Sequence, residues 1–249
     1  MSCTDHLSEL EALRLQVADL SHKLAEREQS MSAERRDLVE TIQDLREQSQ
    51  LLRTIIEGTA AETGDEFFAS LVKHLTSTLL VQYAVIATVN EGHPKKIRTL
   101  AVSTGGTLAD NFEYDLVDTP CATGLTETFV CFDRDIQATF PQFQRLADLG
   151  VESYCAVPFR AKDGVVRGLL MVMDTKPLRQ AGDLQSLLGV LAPRVAAEFE
   201  RRRAEQERIQ TLADLHNVVE TVPDIMFTLD IRGNMVKWNR RVVDVTGYS

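Results

Sequence analysis

The stretch 153-SYCAVPFRAKDGVVRGLLMVM-173 decides the fold of this chain. Two apolar runs, Tyr154 to Phe159 and Val165 to Met173, flank the tripeptide Lys162-Asp163-Gly164. An Asp-Gly step between two apolar runs is typical of a β-hairpin, because it supplies the positive backbone angles that a tight turn needs. The sequence therefore predicts two long antiparallel strands here.

The residues before this hairpin alternate between helical and strand patterns. Glycines at Gly92, Gly105-Gly106 and Gly150 mark the turns between them. The order of elements predicts an α+β domain over residues 57–182, in which an antiparallel sheet is flanked by helices. The predicted elements are a helix at 62–82, strands at 83–89 and 97–102, a short strand at 129–132 and a short helix at 143–149.

Residues 1–56 predict one long helix that pairs with another helix. Residues 7–56 contain no Pro, and the first Gly is Gly58. Apolar residues recur with heptad spacing in two runs, and the phase changes between Leu24 and Met31. This pattern predicts a dimeric coiled coil with a local irregularity, although a single amphipathic helix is the alternative. The predicted seam residues are Leu10, Leu13, Val17, Leu20, Leu24, Leu38, Ile42, Leu45 and Leu52.

A second long helix is predicted over residues 183–220. Asp183 is a plausible N-cap, and Pro193 lies inside the helix, where proline usually bends the backbone. The stretch after Phe199 is heavily charged but keeps an approximate apolar seam. We expect a signalling helix that leaves one domain, enters the next and pairs in a dimer. Its predicted seam residues are Val195, Phe199, Ile209 and Leu212.

The segment 221–249 predicts a hairpin and a short helix. Pro223-Asp224 precedes an apolar strand at 225–229, a turn at 230–233 and a second strand at 235–239. The order of Pro-Asp, Asp-x-x-Gly, Trp-Asn and Gly-Tyr-Ser resembles the first third of a PAS domain. One hairpin and one helical turn bury too little surface to fold alone. We therefore expect a truncated PAS domain, followed in the whole protein by an output module.

A set of short motifs runs through the middle of the chain: Tyr114-Asp115-Leu116, Thr119-Pro120-Cys121, Phe140-Pro141, 149–154, Val157-Pro158-Phe159, Asp163-Gly164, Arg167-Gly168 and 197–201. In their order and spacing, roughly residues 52–201 resemble a GAF domain of the kind that precedes PAS, histidine kinase and diguanylate cyclase modules in bacteria, with the domain itself at 57–182. The resemblance implies a cavity on one face of the sheet that binds a small molecule. The alternative is that these side chains only fill the core. The pocket candidates are Tyr114, Thr119, Cys121, Thr123, Phe140 and Tyr154.

The cysteines and histidines do not form a recognisable catalytic motif. The spacing of Cys121, Cys131 and Cys155 resembles that of the free methionine sulfoxide reductases, which are GAF enzymes, but the neighbouring residues differ. A thiol enzyme, or a redox sensor at Cys121, is therefore only a remote alternative. The five histidines show no metal-ligand spacing. We expect this chain to hold no catalytic site, no metal and no certain cofactor.

The composition and charge of the chain disfavour some classes of binding partner. The formal net charge is −10, from 37 acidic and 27 basic residues, which disfavours nucleic acid and anionic membranes. No signal peptide is evident, and four cysteines fit reduced thiols in the cytoplasm. We expect a cytoplasmic homodimer that acts as the sensory region of a bacterial signalling protein. A histidine kinase is the favoured output and a diguanylate cyclase the next; a ligand-free dimerisation and relay module is the alternative function.

Overall fold

The structure, a computed structural model, describes residues 3–90, 92–178 and 181–247. The chain divides into two compact units, Met1–Glu57 and Gly58–Ser249. None of the helices in the described ranges combines the length and the apolar character that crossing a membrane requires.

The first unit is formed by helix α1, Cys3–Gly58. The helix is continuous through the predicted phase change, because this segment consists of good helix formers and lacks Pro and Gly. Three predicted seam residues are exposed: Leu38 is 59%, Ile42 39% and Leu45 59% accessible, and Leu52 is half-buried. The side chains of Leu10, Leu13, Val17, Leu20 and Leu24 lie outside the described residues.

The second unit is built on one antiparallel sheet. Its strand order is β3-β2-β1-β7-β6-β5, and β4 pairs with β2. Helix and antiparallel sheet together confirm the predicted α+β class. The strands are β1 Tyr83–Asn90, β2 His93–Thr104, β3 Thr107–Ala109, β4 Glu113–Asp115, β5 Val130–Phe132, β6 Ser153–Arg160 and β7 Val166–Asp174.

The predicted hairpin is β6 and β7, and it lies in the middle of the sheet, between β1 and β5. The sequence analysis missed the short strands β3 and β4 and two short helices, because each has only three to seven residues. The helices of this unit that precede β7 are α2 Asp65–Leu79, α3 Pro120–Thr126, α4 Ile136–Thr139 and α5 Gln144–Asp148.

The two faces of the sheet are covered by different helices. Side chains alternate along a strand, so Tyr154 and Ala156 of β6 lie on the opposite face from Cys155, Val157 and Phe159. Helices α3, α4 and α5 contribute to the core on the Tyr154 face. On the other face, helix α6, Ala181–Thr221, packs against β6 and β7.

Helix α6 has two parts with different surroundings. Leu188 and Leu191 are buried against the sheet, Val195 is completely buried, and Phe199 contacts the ring of Phe159 with a centroid distance of 5.6 Å. Val195 was predicted as a dimer seam residue; this is corrected, because its side chain is completely buried within its own chain. Phe199 is half-buried beside Phe159, and its place in a seam stays a prediction.

The C-terminal part of α6 exposes its apolar residues. Ile209 is 55% and Leu212 54% accessible, which leaves these two predicted seam positions available to a partner. The helix is continuous through Pro193. The predicted bend at this proline stays a prediction.

The second unit ends in a small hairpin. Strands β8, Phe227–Leu229, and β9, Met235–Trp238, pair in a two-stranded sheet, and helix α7, Arg240–Thr246, follows. The hairpin leaves large apolar side chains exposed, and Ile231 at its turn is fully accessible. Tyr248 and Ser249 of the predicted Gly-Tyr-Ser terminus lie outside the described residues.

Candidate functional site

A small cavity lies on the Tyr154 face of the sheet, between the strands and helices α3 and α5. Its volume is about 30 Å³, enough for roughly one or two water molecules. Ligand pockets usually have volumes of about 300–1,000 Å³. The protein's own side chains therefore fill most of the space. The lining is mostly apolar and consists of Val85, Phe112, Tyr114, Pro120, Cys121, Phe143, Arg145, Leu146, Leu149, Tyr154, Met171 and Met173.

Three of the predicted pocket residues meet in this cavity. The hydroxyl of Tyr114, on β4, lies 3.0 Å from the Sγ of Cys121. The hydroxyl of Tyr154, on β6, donates to the same sulfur over 3.5 Å. Cys121 is in the first turn of α3 and is 2% exposed. We call Tyr114, Cys121 and Tyr154 the hydroxyl–thiol cluster.

The members of the hydroxyl–thiol cluster stay protonated at neutral pH. Burial raises the pKa of the Cys121 thiol, although hydrogen bonds from the two tyrosines act in the opposite direction. Burial also raises the pKa values of Tyr114 and Tyr154 well above normal, and proximity to Cys121 adds to this effect. A reactive cysteine needs a depressed pKa and access to solvent. Cys121 has neither, so its environment is that of a core residue and not of a nucleophile.

Aromatic rings and one arginine form the outer wall of the cavity. Phe143 stacks on Tyr114 with a centroid distance of 5.3 Å, and Phe112 lies 5.7 Å from the same ring. The guanidinium of Arg145 covers Phe112 at 4.0 Å from the ring centroid. Such a cation–π contact holds a cation over an apolar surface. Within the described residues, Arg145 is the one charged side chain that lines the cavity.

The other three predicted pocket residues do not line the cavity. Thr119 is the N-cap of α3: its hydroxyl donates to the carbonyl of Leu116 at 2.8 Å and accepts from the Ala122 amide at 3.3 Å. Thr123 lies four residues further along the chain, in α3, and is half-buried. Phe140 packs edge-on against Phe132, with centroids 5.3 Å apart.

Phe112, Phe143 and Arg145 were missed by the sequence analysis. Phe143 and Arg145 begin the predicted short helix, and their spacing of two residues gave no signal for a shared contact. Only the packing of that helix over β4 brings Phe143 against Tyr114 and Arg145 against Phe112.

Cys131 and Cys155 form a second cysteine site, on the opposite face of the sheet. They are directly opposite each other on the antiparallel strands β5 and β6, with their Cα atoms 4.1 Å apart, and the structure joins them in a disulfide. Cys155 is completely buried and Cys131 is half-buried. We call these two residues the cross-strand cysteine pair. The prediction that the cysteines are all reduced is wrong for this pair, because strand pairing brings both sulfurs together.

Asn239 connects α6 to the C-terminal hairpin. Its side chain is completely buried, and its Nδ2 donates to the carbonyl of Asp224 at 2.9 Å and to that of Val219 at 3.2 Å. Its Oδ1 accepts from the amide of Met226 at 3.0 Å. Val219 lies in the last turns of α6, while Met226 and Asp224 lead into β8. One amide side chain thus ties the helix end to both ends of the hairpin.

A wider, open groove of about 620 Å³ runs between α6 and the edge of the sheet at β2 and β3. Two of the three arginines in its lining are paired with acids: Arg202 lies 2.8 Å from Asp65, and Arg203 lies 2.9 Å from Glu207. Arg98 is the third. The groove is open and lacks the enclosure of a small-molecule site.

No group of three or more His, Cys, Asp or Glu side chains within the described ranges is arranged to hold a metal ion. His74, on α2, is used locally: its Nδ1 lies 2.9 Å from the carbonyl of Ser70, and its ring covers Gly58.

Solved structures of GAF domains have the same fold as part of this chain. One is the GAF domain of the Acinetobacter phosphoenolpyruvate-protein phosphotransferase, with a TM-score of 0.50 and 15% identity over 64% of this chain and 97% of that chain. Another is the A. aeolicus nlh2 GAF domain in an inactive state, with a TM-score of 0.50 and 16% identity over 63% of this chain and 97% of that chain. No protein-family profile and no curated protein sequence matches. The chain therefore contains a domain with the GAF fold, as the resemblance implied.

Proposed function

We propose that this chain is the sensory region of a cytoplasmic bacterial signalling protein. The GAF-fold domain receives a small-molecule signal, and α6 carries it to a hairpin that resembles the start of a PAS domain. The output module would follow that hairpin; a histidine kinase is favoured and a diguanylate cyclase comes next. We propose no catalytic site within this chain, and no nucleic-acid or membrane partner.

The observation that carries this proposal is the path of α6. A single helix of 41 residues packs on the sheet at its N-terminal half and is tied to the hairpin by Asn239 at its C-terminal end. A helix that is continuous between two elements transmits a shift or rotation from one to the other. The cavity lies across the sheet from this helix, and β6 contributes residues to both faces. A change at Tyr154 can therefore reach α6 through strand β6 alone.

Dimerisation is the second part of the proposal. Exposed apolar residues remain on both long helices, including Leu38 and Leu45 on α1 and Ile209 and Leu212 on α6. Pairing of two chains would cover these stripes, as in a parallel coiled coil. A ligand can then shift the paired helices between two arrangements only by its different affinity for each.

A ligand-free relay and dimerisation module is the competing function. The small cavity favours it, because a molecule larger than a few atoms can enter only if Phe143 or Arg145 moves. Under this alternative, the hydroxyl–thiol cluster and its aromatic wall are simply a hydrophobic core with satisfied polar groups.

Native and denaturing mass spectrometry of the purified chain test the proposal together. We expect a native mass of two chains plus a small excess that is lost on denaturation; the excess identifies the ligand class. A dimer with no excess, also after incubation with cell extract metabolites, would favour the relay. A monomer at micromolar concentration would contradict both functions.

A pair of variants then tests the dimer seam. Leu20→Asp places a charge at a predicted seam position of α1 and is expected to separate the chains. Ser30→Asp places the same charge at an exposed position outside the seam and should leave the dimer intact. Equal association of the two variants would contradict the coiled coil.

A further inference from the structure

The cross-strand cysteine pair lies where a chemical change can reach α6. Cys155 is on the face of β6 that carries this helix, and α6 packs directly on β6. Cys155 is completely buried, so any change in the volume or position of its sulfur must be accommodated by neighbouring side chains. The pair is therefore part of the surface on which α6 packs.

The pair is also reachable from outside. Cys131 belongs to β5, the edge strand of the sheet, and its side chain is only half-buried. Cys155 is on β6, the second strand from that edge, and is completely buried. Cys131 is therefore the sulfur that a reagent meets first, and Cys155 is the sulfur that follows.

The third cysteine of the domain cannot take part. Cys121 hydrogen-bonds to Tyr154, and Tyr154 points to the opposite face of the sheet from its neighbour Cys155. Exchange between Cys121 and either member of the pair would require a sulfur to pass through the sheet. The fold thus selects one partner for Cys131.

We propose that Cys131 and Cys155 are a redox-responsive pair, a dithiol that a hydroperoxide closes to a disulfide and that thus resets α6. This inference rests on the proposed function in two respects: it takes α6 as the output and the cytoplasm as the location. In a cytoplasmic protein, a disulfide is usually transient and serves redox sensing or catalysis, not permanent support.

The chemistry balances in two steps. The Cys131 thiol loses its proton, and the thiolate attacks the hydroperoxide. The O–O bond breaks, Cys131 becomes a sulfenic acid, and the leaving hydroxide or alkoxide takes up that proton and departs as water or an alcohol. The thiol of Cys155 then attacks this sulfur; the S–S bond forms, the S–O bond breaks, and the hydroxide leaves as water with the proton of Cys155. One hydroperoxide is reduced and two thiols are oxidised. A small thiol reverses the reaction by disulfide exchange.

The test uses the whole chain. The protein is first reduced with dithiothreitol, the dithiothreitol is then removed, and hydrogen peroxide is added last. We expect both cysteines of the pair to lose their reaction with iodoacetamide after denaturation, and the chain to lose the mass of two hydrogen atoms. Peptide mapping should join the Cys131 peptide to the Cys155 peptide. Dithiothreitol should restore both thiols. Two thiols that still alkylate after peroxide, or a link to Cys3 or Cys121 instead, would overturn the proposal.

Hydrogen exchange then measures the effect on α6. Amides of residues 184–199 should exchange at different rates in the reduced and oxidised chain, and Cys131→Ser should abolish this difference. Cys131 is half-buried on an edge strand, so this variant is expected to fold; its circular dichroism checks that. Cys3→Ser is the matched control and should keep the response. Disulfide formation without any change in α6 exchange would overturn the switch, while leaving the proposed ligand function untouched.

Discussion

Asn239→Asp should detach the C-terminal hairpin from α6. The substitution keeps the shape of the side chain but replaces the Nδ2 donor by an oxygen. That oxygen would face the carbonyls of Asp224 and Val219, which Nδ2 now contacts at 2.9 and 3.2 Å. Both hydrogen bonds are part-buried, and the loss of one such bond costs about 0.5–1.5 kcal/mol. The link between α6 and the hairpin therefore loses about 1–3 kcal/mol, and more if the new carboxylate, at a completely buried position, stays ionised.

This loss exceeds the stability that the hairpin has by itself, since an isolated two-stranded hairpin is at best marginally stable. We expect local opening without global unfolding. At about 1.4 kcal/mol per factor of ten, a loss of 3 kcal/mol corresponds to a roughly hundredfold faster exchange of protected amides. Hydrogen exchange with mass spectrometry on the peptide that covers Phe227–Leu229 measures this directly.

Asn217→Asp is the matched control. Asn217 is exposed on α6, and its hydrogen bond from Thr221 uses only the backbone carbonyl. The control adds the same charge near the same helix end without removing a buried donor. We expect its hairpin exchange to match that of the parent chain. The reasoning would be refuted if the Asn239→Asp hairpin kept its protection, or if both variants lost it equally.

Three further predictions concern the sheet, the cavity and the dimer. Gly168→Ala should lower the free energy of unfolding by about 1–3 kcal/mol or more, because its Cβ would overlap a backbone carbonyl of β1. Gly189→Ala, at an open helical position, should raise that free energy by about 0.5–1 kcal/mol. Urea unfolding measures both variants, and equal effects would contradict the close packing at Gly168. The free energy of unfolding should be constant near neutral pH and fall above about pH 9. The ordinary pKa of a cysteine thiol is 9.0, and burial raises the pKa of Cys121 above it. The hydroxyl–thiol cluster therefore stays protonated in the folded chain, whereas the unfolded chain releases these protons. Chemical denaturation from pH 7 upward checks the direction, and a rise would contradict it. Leu212→Asp should weaken dimerisation in analytical ultracentrifugation while Ala213→Asp, off the seam, should not; two equally stable dimers would speak against pairing along α6.

Local sequence patterns determined the elements of this protein. The Asp163-Gly164 turn between two apolar runs predicted β6 and β7, and the absence of Pro and Gly predicted α1. The antiparallel α+β class followed from the order of these elements, and the GAF fold was implied by the resemblance of the motifs; both were confirmed. These features could be predicted because periodicity and turn residues act over a few neighbours along the chain. Of the six pocket candidates, Tyr114, Cys121 and Tyr154 do line one cavity.

Only the tertiary structure decided which side chains meet. The pairing of Cys131 with Cys155 depends on the register of two strands that are 24 residues apart in sequence, and a shift by one residue would move both sulfurs to other neighbours. The filling of the cavity by Phe143 and Arg145 depends on how α5 packs over β4. Val195 has the spacing of a seam residue, but the same apolar spacing serves equally for packing on a sheet. Spacing shows that a helix buries one stripe; the folded chain decides what covers it.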